Sequence, residues 1–161
     1  MTEAKELAVV MARLMKQIIE SGRQAAPVLF AHNLDDQVAL ISLEFPDELH
    51  KDVAAYAMRM LAKIPEVDYV LFLSECWMAT IERKEQGDVD LGQGVRNYPG
   101  RTETIIAIIF RKNGKPDVGS WPFLRDAYGK AVFSEKLEWF PENGSFEGRF
   151  VQGGEKPHVV S

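Results

Sequence analysis

The sequence has one cysteine, no excess of positive charge and no long hydrophobic run, and each absence excludes a class of protein. Cys76 alone cannot form an internal disulfide, and it leaves no multi-cysteine zinc or iron–sulfur site. Nineteen basic and 24 acidic residues give a formal net charge of -5. This balance is not that of a strongly basic nucleic-acid binder or of a polybasic membrane-surface protein.

The sequence predicts neither a targeting signal nor a membrane-spanning helix. The N-terminal residues mix both charges, and the apolar stretch after them is interrupted by Arg13 and Lys16. The longest apolar runs, such as 69–73 and 105–110, are far shorter than the roughly 20 residues of a membrane-spanning helix. We therefore expect a cytoplasmic protein without membrane contact. Its three histidines are scattered, so neither a metal nor another cofactor is predicted.

Length and composition predict one domain with a short tail. A chain of 161 residues, 46% of them hydrophobic, is of ordinary single-domain size and buries roughly two thirds of its unfolded surface. Residues 152–161 are rich in glycine and charge, which is typical of a loosely held terminus. We predict a single α+β domain over 1–151 and a flexible C-terminal tail over 152–161.

Apolar residues spaced by three and four predict two amphipathic helices. The first runs from about Thr2 to Ser21, with Thr2 as N-cap and Gly22 at its C-terminal end. The second runs from Asp47 to about Lys63 between two prolines. We expect each apolar stripe to pack on a sheet. The stripe residues are Leu7, Val10, Met11, Leu14, Met15, Ile18 and Ile19 in the first helix, and Leu49, Val53, Tyr56, Ala57, Met60, Leu61 and Ile64 in the second.

The remaining sequence has apolar patterns that are typical of strands. Turn sequences such as His32–Asp36 and Asn113-Gly114 separate several of them, which favours antiparallel pairing. We predict an α+β fold in which two helices pack on one face of a mainly antiparallel, curved sheet of about five to seven strands. The candidate strands are 27–31, 37–45, 69–82, 103–112, 118–124, 131–140 and 145–151.

The segment 69–82 is the most informative part of the sequence. Both of its alternating faces are largely apolar, so we expect a central strand that is covered on both sides for much of its length. Glu75 lies between Leu73 and Trp77 on one of these faces. A carboxylate in this position must be paired, neutralised or exposed at the end of the sheet.

Two interpretations of Glu75 remain open. It is either half of a structural ion pair, with Arg101 as the nearest candidate in sequence, or a ligand-binding group with a raised pKa beside the stacking surface of Trp77. A ligand site also requires that Arg101, Glu103 or His32 lie within hydrogen-bonding reach of Glu75. The substitution Glu75→Ala should cost about 3–5 kcal/mol if the carboxylate is half of a buried pair. It should cost under about 0.5 kcal/mol if Glu75 is at the surface.

A 20-residue connection, Arg83–Thr102, follows this strand and is punctuated by glycines. Connections of this length are usually lids over a site or solvated segments, and both interpretations stay open here. Asp88 and Asp90 lack the pattern of a calcium loop, and Gly92-Gln93-Gly94 lacks the remainder of a phosphate loop.

One sequence pattern resembles a known group of proteins. The segment Phe72–Met78 contains Ser74-Glu75-Cys76-Trp77, and Pro99–Glu103 opens the next strand after the loop. This pattern resembles that of short uncharacterised bacterial and phage proteins in which a Ser-Glu-x-Trp strand precedes an Arg-x-Glu strand. The resemblance covers a small part of the chain and implies no activity. It implies that four residues are neighbours in space: Glu75, Trp77, Arg101 and Glu103.

Two functional hypotheses are compatible with these patterns. The C-terminal third is rich in aromatic residues, and an exposed aromatic and methionine surface would form an oligomer or partner interface. Because no catalytic motif accompanies it, we expect a non-enzymatic protein that self-associates or binds a partner. The alternative is a small-molecule-binding protein or hydrolytic enzyme with a pocket around Glu75 and Trp77 under the 83–102 loop.

Overall fold

Two helices and seven strands form the described part of the chain. The structure is a computed structural model that describes residues 2–33, 35, 38–42, 48–79 and 100–141. The helices are α1 (Glu3–Glu20) and α2 (Glu48–Ala62). The strands are β1 (Val28–Asn33), β2 (Val38–Ser42), β3 (Val67–Met78), β4 (Thr102–Phe110), β5 (Asp117–Arg125), β6 (Ala131–Phe133) and β7 (Glu138–Trp139).

All seven strands pair antiparallel in one curled sheet. Its order is β2-β1-β3-β4-β5-β6, and β7 also pairs with β5. The strands β1 and β2 form a hairpin, and α2 then connects β2 to β3 on the other side of β1. The predicted α+β class and the antiparallel pairing are therefore confirmed.

Local sequence sets the ends of α1 as expected. The Thr2 hydroxyl accepts a hydrogen bond from the backbone N–H of Lys5 at 3.3 Å, which makes Thr2 the N-cap. Glu3 and Glu6 lie in the first turn, where their charges favour the positive end of the helix dipole. After Ser21, Gly22 has a φ of 86°, a left-handed conformation that glycine adopts without strain.

The two helices cover opposite faces of the sheet, whereas the sequence suggested one shared face. Strands β3 and β4 are apolar on both faces, and residues Thr104–Phe110 of β4 are buried throughout. A sheet that is apolar on both faces must be covered on both, because its strands would otherwise expose large apolar side chains. One cluster joins Ala4, Ala8, Ala12, Met15 and Ile19 of α1 to Leu71, Leu73, Ile105, Ala107 and Ile109. The other joins Ala55, Met58 and Ala62 of α2 to Val70, Phe72, Ile106, Ile108 and Phe110.

Two strand boundaries differ from the prediction. His32 lies inside β1 rather than in a turn, because β1 pairs on both sides, with β2 and with β3, and two ladders outweigh a local turn preference. The segment predicted as one strand over 131–140 forms the short strands β6 and β7. Between them Leu137 is buried, and the Ser134 carbonyl accepts a 2.9 Å hydrogen bond from the Trp121 indole N–H. The candidate strand 145–151 and the predicted tail lie outside the described residues.

The helix α2 packs on the sheet through Ala55, Met58 and Ala62, which are buried, and through Leu61, which is partly buried against the same cluster. Four large apolar residues that the sequence assigned to the packing face are instead exposed. The two small alanines allow the helix to approach the sheet closely around Met58. The exposed residues are Val53, Tyr56, Met60 and Ile64, and we call them the α2 outer stripe.

Candidate functional site

Trp77 and Glu103 are direct neighbours across β3 and β4. On the same strand pair, Glu75 lies opposite Ile105, one alternation away from Trp77 on the same face of the sheet. The guanidinium carbon of Arg101 lies 4.7 Å from the centre of the Trp77 ring, within the range of a cation–π contact. The structure therefore places Glu75, Trp77, Arg101 and Glu103 at one end of the β3–β4 ladder.

Glu75 is half-buried, and burial raises the pKa of its carboxyl above the ordinary value. The negative charge of Glu103 raises this pKa further, because a second carboxylate nearby disfavours ionisation. Two features act in the opposite direction: the backbone N–H of Ala25 donates a hydrogen bond to the Glu75 carboxylate, and Arg125 contributes a positive charge. Because burial has the largest effect, the net pKa shift is upward.

Glu103 forms an ion pair with Arg125 of β5. The Nε of Arg125 lies 3.1 Å from Oε2 of Glu103, and its Nη2 lies 3.5 Å from Oε1. Arg125 also donates to the Gly129 carbonyl at 3.2 Å and lies 5.3 Å from the centre of the Phe123 ring. These contacts hold the guanidinium in place, so it partly neutralises the acidic end of the sheet.

Arg125 and the Ala25 N–H were not identified from the sequence. Arg125 is 22 residues after Glu103, and only the β4–β5 register, which places Glu103 opposite Phe123, reveals that they are close. Ala25 precedes β1, which pairs with β3 up to Leu73. No local sequence pattern signals either contact, because both depend on strand order.

His32 belongs to a separate cluster at the other end of β3. It lies opposite Tyr69, six residues and roughly 20 Å along the strand from Glu75. Its ring stacks on Tyr69 at 5.0 Å, and its Nδ1 lies 3.5 Å from Oδ2 of Asp68. Burial, followed by the negative charges of Glu3 and Asp68, raises the pKa of Tyr69. Although β1 and β3 are neighbours, their register does not bring His32 to Glu75.

Cys76 lies on the face of the sheet opposite to that of Glu75. Cys76 is half-buried opposite Thr104, on the face that α2 covers.

Across 2–33, 35, 38–42, 48–79 and 100–141, no group of three or more His, Cys, Asp or Glu residues is arranged to hold a metal ion. Of the 83–102 loop, 83–99 lies outside these residues. No helix within them is long and apolar enough to span a membrane.

The arrangement at Glu75 has a definite chemical capacity. A half-buried carboxyl with a raised pKa exchanges a proton at a higher pH than a solvated carboxyl does. It lies beside an indole ring and an ion-paired carboxylate, which are groups that can contact a small polar ligand. Raised carboxyl pKa values occur both in binding sites and in structural networks.

A second feature is the α2 outer stripe on the opposite side of the molecule. Val53 is 60% exposed, Tyr56 59%, Met60 45% and Ile64 40%. At about 100° per residue, Val53, Tyr56 and Met60 lie within roughly 60° around the helix. Ile64 follows two residues after the end of α2, so the exposed apolar residues continue just beyond the helix.

Comparison of the chain with protein-family models, with curated proteins and with solved structures gives no match.

Proposed function

We propose that this protein is a non-enzymatic interaction protein that self-associates through the α2 outer stripe. The single observation that carries the proposal is the exposure of three large apolar side chains on one side of α2 and of Ile64 just after its end. Monomeric proteins rarely expose contiguous apolar patches of this kind, because burying them against a partner is favourable. The partner in this proposal is a second copy of the chain.

The aromatic C-terminal third contributes less to this surface than the sequence suggested. Trp121 and Phe123 are buried in the cluster under α1, and Phe133 and Trp139 pack against that cluster. The ammonium of Lys16 lies 5.3 Å from the centre of the Trp121 ring and covers it further. Leu124, Tyr128 and Val132 are exposed in this third as well, but they are not part of the α2 outer stripe, on which the proposal rests.

The oligomeric state of stripe variants tests the proposal. Size-exclusion chromatography with light scattering, run over a wide range of protein concentrations, should show a dimer for the wild type. Tyr56→Lys and Met60→Lys should each shift the protein to monomer, because a charged side chain would be desolvated in the interface. Leu124→Lys is the matched control: Leu124 is 69% exposed on β5, so this variant should keep the dimer. A wild type that stays monomeric at every concentration would refute self-association.

Ligand binding at Glu75 and Trp77 is a second candidate function. It is favoured by one observation, the half-buried carboxyl with raised pKa on the same face as Trp77. A thermal-shift screen against metabolites and divalent metals should then find a ligand class that stabilises the wild type. Glu75→Gln should abolish this stabilisation, and Leu124→Gln should keep it. The absence of any stabilising ligand class in the screen would count against this candidate.

We further propose a cytoplasmic location. Support comes from the sequence, whose single cysteine cannot form an internal disulfide. Fractionation of cells that express the full chain would test it, and recovery from an exported fraction would contradict it.

A further inference from the structure

We infer that the end of the β3–β4 ladder binds a guanidinium group, which stacks on the Trp77 ring and pairs with the carboxylate of Glu75. This inference rests on the second candidate function, ligand binding at Glu75 and Trp77, and names the chemical class of its ligand. Its evidence is the arrangement of one indole ring, two carboxylates and two arginines at this end of the sheet.

The ring of Trp77 already has a planar cation on it. The guanidinium carbon of Arg101 lies 4.7 Å from the ring centre, and Trp77 is only half-buried. A flat, weakly hydrated guanidinium loses little solvation on an indole ring, and the negative face of the ring attracts its charge. The contact with Arg101 therefore shows which chemistry this ring accepts.

Glu75 supplies the negative charge that such a ligand needs. It is on the same face as Trp77 and two residues earlier, which is roughly 7 Å along the strand. Within the described part of the chain, Glu75 forms no ion pair with Arg101 or with any other cation. Its carboxylate accepts a hydrogen bond from the Ala25 N–H and has room for further donors. A guanidinium beside it would donate through two N–H groups at once.

The other charges at this end of the sheet leave the pairing role to Glu75. Glu103 lies directly opposite Trp77, but its two oxygens are paired with Arg125 at 3.1 and 3.5 Å. When Arg101 moves off the ring, the site therefore retains one unbalanced negative charge, that of Glu75. A negative charge beside an aromatic ring favours a cationic ligand over an anionic one.

Arg101 is the internal competitor for this site. It precedes β4, whose first pair joins Thr102 to Met78, and its side chain is exposed. It contacts the ring without pairing with Glu75, so an added guanidinium makes one more charged contact than Arg101 does. An exposed cation–π contact favours such a position by only about two- to fivefold, so an added guanidinium can displace Arg101 from the ring.

Methylguanidinium is the probe for this site. Titration of the full chain at constant ionic strength should move the indole N–H signal of Trp77 in NMR spectra, and Trp77→Phe identifies that signal. We expect a dissociation constant on the order of millimolar for so small a ligand. Methylammonium, which has no plane to stack, should bind roughly tenfold more weakly. Equal binding of the two cations, or a Trp77 signal that does not move, would overturn the inference.

Removal of the carboxylate tests its pairing role. Glu75→Gln should weaken methylguanidinium binding by roughly tenfold, because it removes the charged acceptor of the ligand. Glu66→Gln is the matched control, since it removes the same charge from an exposed position immediately before β3, at the other end of that strand. This control should leave the dissociation constant unchanged. Unaltered binding in Glu75→Gln would show that the carboxylate does not hold the ligand and would overturn the inference.

Removal of the competitor gives a result in the opposite direction. Arg101→Ala vacates the ring and should tighten methylguanidinium binding by about three- to fivefold. Arg23→Gln is the control for charge alone, because Arg23 is exposed two residues before Ala25, and it should have a smaller effect. Weaker binding in Arg101→Ala would mean that Arg101 contacts the ligand instead of competing with it, which would overturn the proposed displacement.

The pH dependence of binding is an independent test. Burial raises the pKa of Glu75 and Glu103 raises it further, whereas the Ala25 N–H and Arg125 lower it. Because a bound cation favours the ionised carboxylate, the affinity should rise with pH and level off above the raised pKa. In Glu75→Gln the affinity should not change over this range. An affinity that falls as the pH rises would indicate an anionic ligand and contradict the inference.

Two larger probes distinguish the possible sources of the guanidinium. Free arginine represents a metabolite, and N-acetylarginine amide represents an arginine side chain within a peptide. Both carry the group that the site recognises, and the tighter ligand identifies the source.

The outcomes also separate this inference from the candidate function on which it rests. A ligand without a cation that stabilises the wild type, but not Glu75→Gln, would overturn the guanidinium and retain ligand binding. If neither methylguanidinium nor any ligand class in the thermal-shift screen binds the wild type, both are overturned.

Discussion

Arg125 and Glu103 form a two-point ion pair across β4 and β5, with nitrogen–oxygen distances of 3.1 and 3.5 Å. The pair sits beside Glu75, whose carboxyl pKa is lowered by Arg125 and raised by Glu103. Glu75 therefore occupies a partly neutralised environment, in which burial and not ion pairing determines the direction of its pKa shift.

Glu75→Gln should stabilise the protein at neutral pH. Because the pKa of Glu75 is higher in the folded than in the unfolded state, folding favours the protonated form. The stability that this group contributes is present below its ordinary pKa and is lost as the pH rises through the raised pKa. The advantage of Glu75→Gln should accordingly grow with pH over this window and vanish in acid, as measured by urea unfolding across pH. A less stable Glu75→Gln at neutral pH would instead show that a cation anchors the carboxylate.

Glu75→Ala should be less stable than Glu75→Gln by about 1 kcal/mol, because alanine leaves the Ala25 N–H without its acceptor. Equal stability of the two variants in urea unfolding would mean that this hydrogen bond contributes nothing. The half-burial of Glu75 lies between the two limits that the sequence left open, a fully buried pair and a surface group.

Substitution of its two charged neighbours should move the pKa of Glu75 in opposite directions. Arg125→Met removes a positive charge and should raise this pKa, whereas Glu103→Gln removes a negative charge and should lower it. NMR titration of the Glu75 side-chain carboxyl measures both shifts directly. Shifts of the same sign in the two variants would show that repacking, and not charge, controls the pKa.

Gly119→Ala should destabilise the protein by about 1–3 kcal/mol through overpacking. A Cβ atom at position 119 would lie 2.9 Å from Cδ2 of Leu137 and 3.0 Å from the Trp139 ring. Chemical unfolding measures the loss, and Leu137→Val in the same chain should recover part of it. The control is Gly129→Ala, where φ is 79° and no atom lies within 4 Å of the added Cβ. The loss of stability in Gly129→Ala comes from the backbone conformation, so Leu137→Val should not restore that stability.

Substitutions of the buried hydroxyl groups of Thr104 and Ser120 should have non-additive effects on the free energy of unfolding. They are 2.7 Å apart and share a hydrogen bond in which either hydroxyl can be the donor. Thr104→Val leaves the buried Ser120 hydroxyl without this partner and should cost about 1–3 kcal/mol. The double variant Thr104→Val/Ser120→Ala should cost less than the sum of the single variants in urea unfolding. Strict additivity would show that the two hydroxyls do not interact.

Much of the fold could be predicted from the sequence because it depends on local spacing. Thr2 and Gly22 set the ends of α1 through capping and a left-handed conformation, and both involve only neighbouring residues. The two-sided apolar pattern of β3 correctly predicted a central strand. Alternation also placed Glu75 and Trp77 on the same face, because successive side chains in a strand point in opposite directions.

Tertiary structure alone decided which of these features meet. Strand order and register brought Arg125 to Glu103 and Ala25 to Glu75, and they left His32 at the far end of β3. The outward position of Val53, Tyr56 and Met60 on α2 was also set by packing, since a helix with apolar residues on two sides can bury either side. The sequence determines which residues share a face of an element, but only the packing of distant elements determines what that face contacts.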